Sequence, residues 1–165
     1  MKKAVLILLV AVLALAPAMA DSYSGSSEDG SFGIGVNLGT SSGVGMKFGF
    51  GDFDLIANVG FDAFHFGDGV GIGGEIGLGY QVYDIKIDRQ NHMPVTVGLL
   101  MPLGFYFGDN SSFWLGAAIY GGLEYQFPEV PILLYLRLGL GADFTIPAGA
   151  IDFLFAGGIG ALWMF

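Results

Sequence analysis

The chain has no cysteine. That absence excludes disulfides, cysteine-based zinc sites, thiol catalysis and a lipid-modified N-terminal cysteine. Charge is scarce too: Asp, Glu, Lys and Arg make up 13% of the residues, against roughly 25% in an ordinary soluble protein. Basic residues are the rarest, 6 against 15 acidic ones. Neutralising phosphates takes clustered Lys and Arg, so a generic nucleic-acid binder is excluded. No stretch beyond residue 31 repeats at helical spacing, and no motif carries metal-ligand spacing. What the chain has in excess is apolar residues, 53%, and glycine, 29 of 165 positions, with no collagen-like period of three. This composition excludes a disordered polar chain. It also argues against a soluble domain, which needs a charged coat.

Lys2 and Lys3 precede a continuous apolar run, Ala4 to Ala16, broken by Pro17 and followed by the A-x-A site Ala18-Met19-Ala20. This is the pattern of a secretory signal peptide over residues 1–20, cleaved to leave Asp21 as the mature N-terminus. The run has 13 residues, short of the ~20 that a spanning helix requires; an uncleaved anchor is the alternative. Cleavage leaves Lys47, Lys86, Arg89 and Arg137 against all 15 acids, a net charge of −11. Residues 21–31 (DSYSGSSEDGS) are Ser-, Gly- and acid-rich and read as a flexible leader.

From Phe32 onward apolar residues alternate with period two, interrupted by turn residues. The pattern predicts eight strands, at 32–39, 44–50, 53–64, 70–87, 93–107, 113–127, 132–146 and 150–165. Between them lie turns such as Thr40-Ser41-Ser42-Gly43, Gly51-Asp52 and Pro128 to Pro131. The two faces differ sharply. In the seventh segment one face reads Ile132, Leu134, Leu136, Leu138, Leu140, Ala142, Phe144, Ile146. The other reads Leu133, Tyr135, Arg137, Gly139, Gly141, Asp143, Thr145. The second face holds too little charge and too much glycine to coat a soluble surface, whereas the first suits lipid. The expectation is an all-β, eight-stranded antiparallel up-and-down transmembrane β-barrel over residues 32–165, apolar outside and polar inside. Strands one and two are short for a span of 9–11 residues. Aromatic residues cluster at two levels of the apolar face, as interfacial girdles do: Phe32, Phe50, Phe53, Tyr80, Tyr125, Phe127, Trp163 and Phe165 at one end, and Phe61, Phe105, Phe107, Phe113, Phe144, Phe153 and Phe155 at the other.

The terminal stretch Gly158-Ile159-Gly160-Ala161-Leu162-Trp163-Met164-Phe165 resembles the C-terminal signal of bacterial outer-membrane β-barrel proteins. The size is similar to the small eight-stranded OmpA/OmpX type. The resemblance implies location in the cell outer membrane after secretion, contact with outer-membrane lipid, and reading of Trp163 and Phe165 by the barrel-assembly machinery. Gly122-Leu123-Glu124-Tyr125 followed by Pro128-x-x-Pro131 also resembles a hairpin of uncharacterised short barrel proteins. Those often carry Arg-x-Pro just ahead, where this chain has Ala117 to Gly121.

Alternation places Lys47, Asp54, Asn58, Asp62, Glu75, Gln81, Glu124, Gln126, Arg137, Asp143 and Asp152 inside, with 18 of the glycines. Eight strands leave a lumen that side chains fill, and charges there must be paired or hydrated. If strands six and seven pair about the Pro128–Pro131 turn, Tyr135 faces Glu124 and Arg137 faces Gly122, so Glu124 and Arg137 are diagonal neighbours. An internal network of Lys47, Glu75, Glu124 and Arg137 is expected, with Tyr83, Tyr106, Tyr120 and Tyr135 around it. Pro102, mid-strand, removes a ladder donor, and a bulge or kink is expected there.

Other signals are weak. Gly69 to Gly74 matches a dinucleotide fingerprint without the βαβ context it needs, and Asn110-Ser111-Ser112 reads as a turn. His65 near Asp62 and Asp68 could serve, paired with a carboxylate, as a general base, but no serine nucleophile is placed beside it; Ser41 and Ser42 could approach only through the fold. The loops are too short for a large grafted binding surface. The functional expectation is a monomeric outer-membrane protein of structural or envelope role, with a filled lumen, no enzymatic activity and no cofactor. The alternatives are a small channel or carrier of a small apolar ligand, and a lipid-modifying enzyme.

Overall fold

The computed structural model describes residues 30–62, 70–87, 91–107, 111–146 and 148–165. It contains eight strands: β1 (Phe32–Gly39), β2 (Ser41–Phe50), β3 (Phe53–Asp62), β4 (Val70–Lys86), β5 (His92–Phe107), β6 (Ser112–Gln126), β7 (Ile132–Ile146) and β8 (Ala150–Met164). Each pairs antiparallel with the next, and β8 returns to β1, so the sheet closes on itself in sequence order. The signal-peptide positions Ala18 and Ala20, and the leader up to residue 29, lie outside the described residues.

The ring is staggered. Stepping straight across from Gly33 through Lys47, Ile56, Gly77, Leu100, Ala118, Gly141 and Leu154, the register comes back to β1 about ten residues beyond its start. For eight strands that stagger means a tilt of roughly 40°, and each residue climbs about 2.5 Å along the axis. The end carrying Phe32 and Phe165 is level except for the β4–β5 hairpin, which runs on from Tyr80 to Lys86. The opposite rim is not, because β1 to β3 have 8 to 10 residues and β4 to β8 have 15 to 17.

Four local expectations are corrected. Ser41 and Ser42 belong to β2, not to a four-residue turn. The turn tightens onto Thr40 because Asn37 Nδ2 donates to the Ser41 carbonyl at 2.5 Å and Ser42 Oγ bonds across to Gly39. Tyr83 points outward, 66% exposed. The β4–β5 register shifts between Gln81 and Tyr83, and a one-residue shift sends a side chain to the other face. Asp152 is exposed because it sits on the high rim opposite Asp143. Pro102 makes no bulge. The β5–β6 ladder skips Met101 and Pro102 and resumes in the same register at Leu103, while Pro102 is buried against the position of Gly116.

Candidate functional site

The polarity of the two faces sets the site. Away from the strand ends, where Lys86 and Asp152 are exposed, the outward side chains of β1 to β8 are uncharged and most are large and apolar; Ile119, at mid-height, is 70% exposed. Inward, Lys47 is 0% and Arg137 2% exposed. Among the described buried residues these two cations share the interior with five carboxylates, those of Asp54, Asp62, Glu75, Glu124 and Asp143.

Strand position brings Lys47 (β2) to Asp54 (β3), Nζ to Oδ2 at 3.1 Å, and across the ring to Glu124 (β6) in a hydrogen-bonded ion pair. Arg137 (β7) approaches the other Glu124 oxygen at 3.6 Å and lies over the ring of Tyr135, 4.0 Å from its centroid. Glu124 does pair with Tyr135, and Gly122 with Arg137, across β6 and β7. The Glu75 carboxylate accepts from Asn58 Nδ2 at 2.7 Å and lies within reach of the Arg137 charge. Tyr135 Oη donates to Asn37 Oδ1 at 2.6 Å. Tyr120 and Tyr106 are buried in the interior as well.

A second cluster, nearer the high rim, escaped the reading of the sequence. Trp114 Nε1 donates to Asp62 Oδ2 at 2.8 Å, and Tyr106 Oη donates to the same carboxylate oxygen. These residues come from β6, β3 and β5. The available signal was Trp114 itself, the largest side chain on the inward face of β6. His65 and Asp68, expected beside Asp62, lie outside the described residues.

Glycine makes room for these side chains. Each large interior aromatic sits opposite a glycine of the neighbouring strand: Tyr106 opposite Gly71, Trp114 opposite Gly104, Tyr120 opposite Gly98 and Gly139, Tyr135 opposite Gly160. A β-carbon on Gly71, Gly98, Gly104 or Gly160 would collide with the ring beside it. Ile56, Leu100, Leu154 and Ala156 fill the space between the polar clusters, and Leu133, Leu162 and Met164 fill the level end. Lys47, Asp54, Glu124 and Arg137 are held against one another within this packing. Among the described residues no group of three or more metal-ligating side chains gathers.

No protein-family model, no curated protein and no solved structure matches the chain.

Proposed function

We propose that the chain is an integral outer-membrane protein of structural role: an eight-stranded transmembrane β-barrel whose interior is filled by its own side chains, acting without catalysis. The observation that carries this reading is the inverted polarity, with Lys47 and Arg137 enclosed while Ile119 and its outward neighbours stand bare. A soluble protein exposing such a continuous apolar wall would aggregate, whereas a bilayer solvates it. Closure leaves no unpaired edge where β1 and β8 meet, over Gly33–Gly39 and Gly158–Met164.

The belts support the same reading. At the level end Phe32 packs on Phe48 and Phe165, Phe53 on Phe50 and Tyr80, and Tyr125 on Phe127. On β8, Phe153 and Trp163 are separated by ten residues, about 25 Å of height at the tilt given above. That equals the ~25 Å apolar band of outer-membrane barrels. The filled interior favours a stability plug over a conducting lumen. Lipid is the partner of the outer wall, and the assembly machinery the partner of the strand carrying Trp163 and Phe165.

Cell fractionation with gel mobility tests this. The protein is expected in the outer-membrane fraction, running as a compact band unheated and a slower one after boiling. Recovery from the soluble periplasm, or a helical circular-dichroism spectrum, would overturn it. In planar bilayers the expected result is no discrete conductance; steps abolished by Arg137→Ala would replace the plug with a channel.

A further inference from the structure

β8 is paired with β7 from end to end, but its other edge meets β1 only from Gly158 to Met164. Thr40 closes that contact: its N–H donates to the Gly157 carbonyl at 2.9 Å, and the Gly157 N–H donates to Thr40 Oγ1 at 2.8 Å. There the chain turns away into β2. Above Gly157 this edge has no strand partner among the described residues. Backbone groups of a strand alternate in direction, so Phe155, Phe153 and Ile151 aim their N–H and C=O to the same side as Gly157, into the gap. Ile151 and Phe153 are both 75% exposed. The gap follows from the stagger. The high rim climbs around the ring from β1 to β8 and then drops by roughly 15 Å at the β8–β1 seam.

We propose that this edge is a docking site for an extended segment of a partner polypeptide, which adds to β8 above Thr40 and continues the line of β1. The inference rests on the membrane reading, which sets the gap from Gly157 up to Phe153 within the apolar band, with Ile151 just above it. Unpaired backbone groups in hydrocarbon cost several kcal/mol each, and an acyl chain offers neither donor nor acceptor. A peptide strand offers both at the right spacing. A second copy does not fit. Two upright barrels facing each other cross their strands at about twice the tilt, so β8 of one cannot run along β8 of the other. Continuity with the β1–β8 seam fixes the chemistry of the occupant. It is a stretch of about seven residues, apolar where it faces lipid beside Phe153 and Phe155, and small where it faces inward beside Leu154 and Ala156.

The test is amide exchange by nuclear magnetic resonance on the refolded protein in detergent micelles. The probe is a synthetic peptide copying Leu138 to Ile146, the sequence that already complements the other edge of β8. Alone, Ile151, Phe153 and Phe155 should exchange at least about tenfold faster than Asp152, Leu154 and Ala156, and the peptide should remove the difference. Phe153→Pro deletes one gap-facing N–H and spares the β7 ladder. It should keep the heat-dependent gel mobility and abolish the peptide's effect. Equal protection before peptide is added, or no gain on adding it, overturns the proposal. So does a Phe153→Cys variant that cross-links mainly to itself, which would make a second copy the occupant. Failure of the membrane reading shows separately, as a protein that fractionates as soluble.

Discussion

Lys47 and Glu124 stand on opposite walls of the ring, on β2 and β6, and their ion pair crosses the interior. Asp54 holds the same ammonium from the neighbouring strand at 3.1 Å. One cation therefore ties three strands together, and removing it leaves two carboxylates confined with Arg137 as the nearest cation.

Lys47→Met is accordingly expected to cost about 3–5 kcal/mol, the penalty for stranding buried charge. Adding Glu124→Gln should restore part of that loss, because the stranded charge goes with it. Urea unfolding in lipid vesicles, read as a double-mutant cycle, checks this. Additive losses would mean that the two groups do not interact.

Much of the ring was legible from period two alone. Opposing patterns on β6 and β7 about the Pro128–Pro131 turn place Tyr135 against Glu124, as the structure does. What alternation could not supply was any event that breaks it. The shift at Gln81 turned Tyr83 from inside to outside, and hydrogen bonds within the Thr40 turn absorbed Ser41 into β2. Contacts across the ring were illegible for another reason. Trp114 reaches Asp62 from β6 to β3, and the height at which two non-adjacent strands meet depends on the stagger of the whole ring, which no local pattern encodes.

The two tryptophans report on opposite faces. Trp114 is enclosed beside Asp62, whereas Trp163 stands outward in the lower belt. In vesicles of lipids brominated on their acyl chains, Trp114→Phe should leave strong quenching, since Trp163 is the remaining emitter. Trp163→Phe should leave at most about half of it, the interior lying a wall's thickness from lipid. Trp114→Phe should also cost about 1–3 kcal/mol by removing a buried donor from Asp62. Equal quenching of the two variants would contradict the assignment of faces.

Two glycines of the same sheet separate packing from propensity. A β-carbon on Gly98 would meet backbone of β4 and the Tyr120 ring, whereas one on Gly121 meets nothing within 4 Å. Gly98→Ala should therefore lower stability by about 1–3 kcal/mol through overpacking. Gly121→Ala should raise it by about 0.5 kcal/mol, because glycine weakens a strand interior. Unfolding midpoints of the two variants, measured side by side, give the sign of each.

Ile119 offers the sharpest discrimination between a bilayer and water as the outer solvent. Its side chain is 70% exposed on β6 and lies near mid-height between the belts. On a water-facing surface Ile119→Arg would change stability by no more than about 0.5 kcal/mol, and solubility would improve. At the midplane of a bilayer the same substitution costs about 2–4 kcal/mol, with the cost falling toward the interfaces. An arginine series at Ile119, Leu115 and Leu123, three outward positions at successive heights on β6, should thus show its largest loss at Ile119 in vesicles. A flat series would remove lipid from the outer wall, because water imposes no dependence on depth.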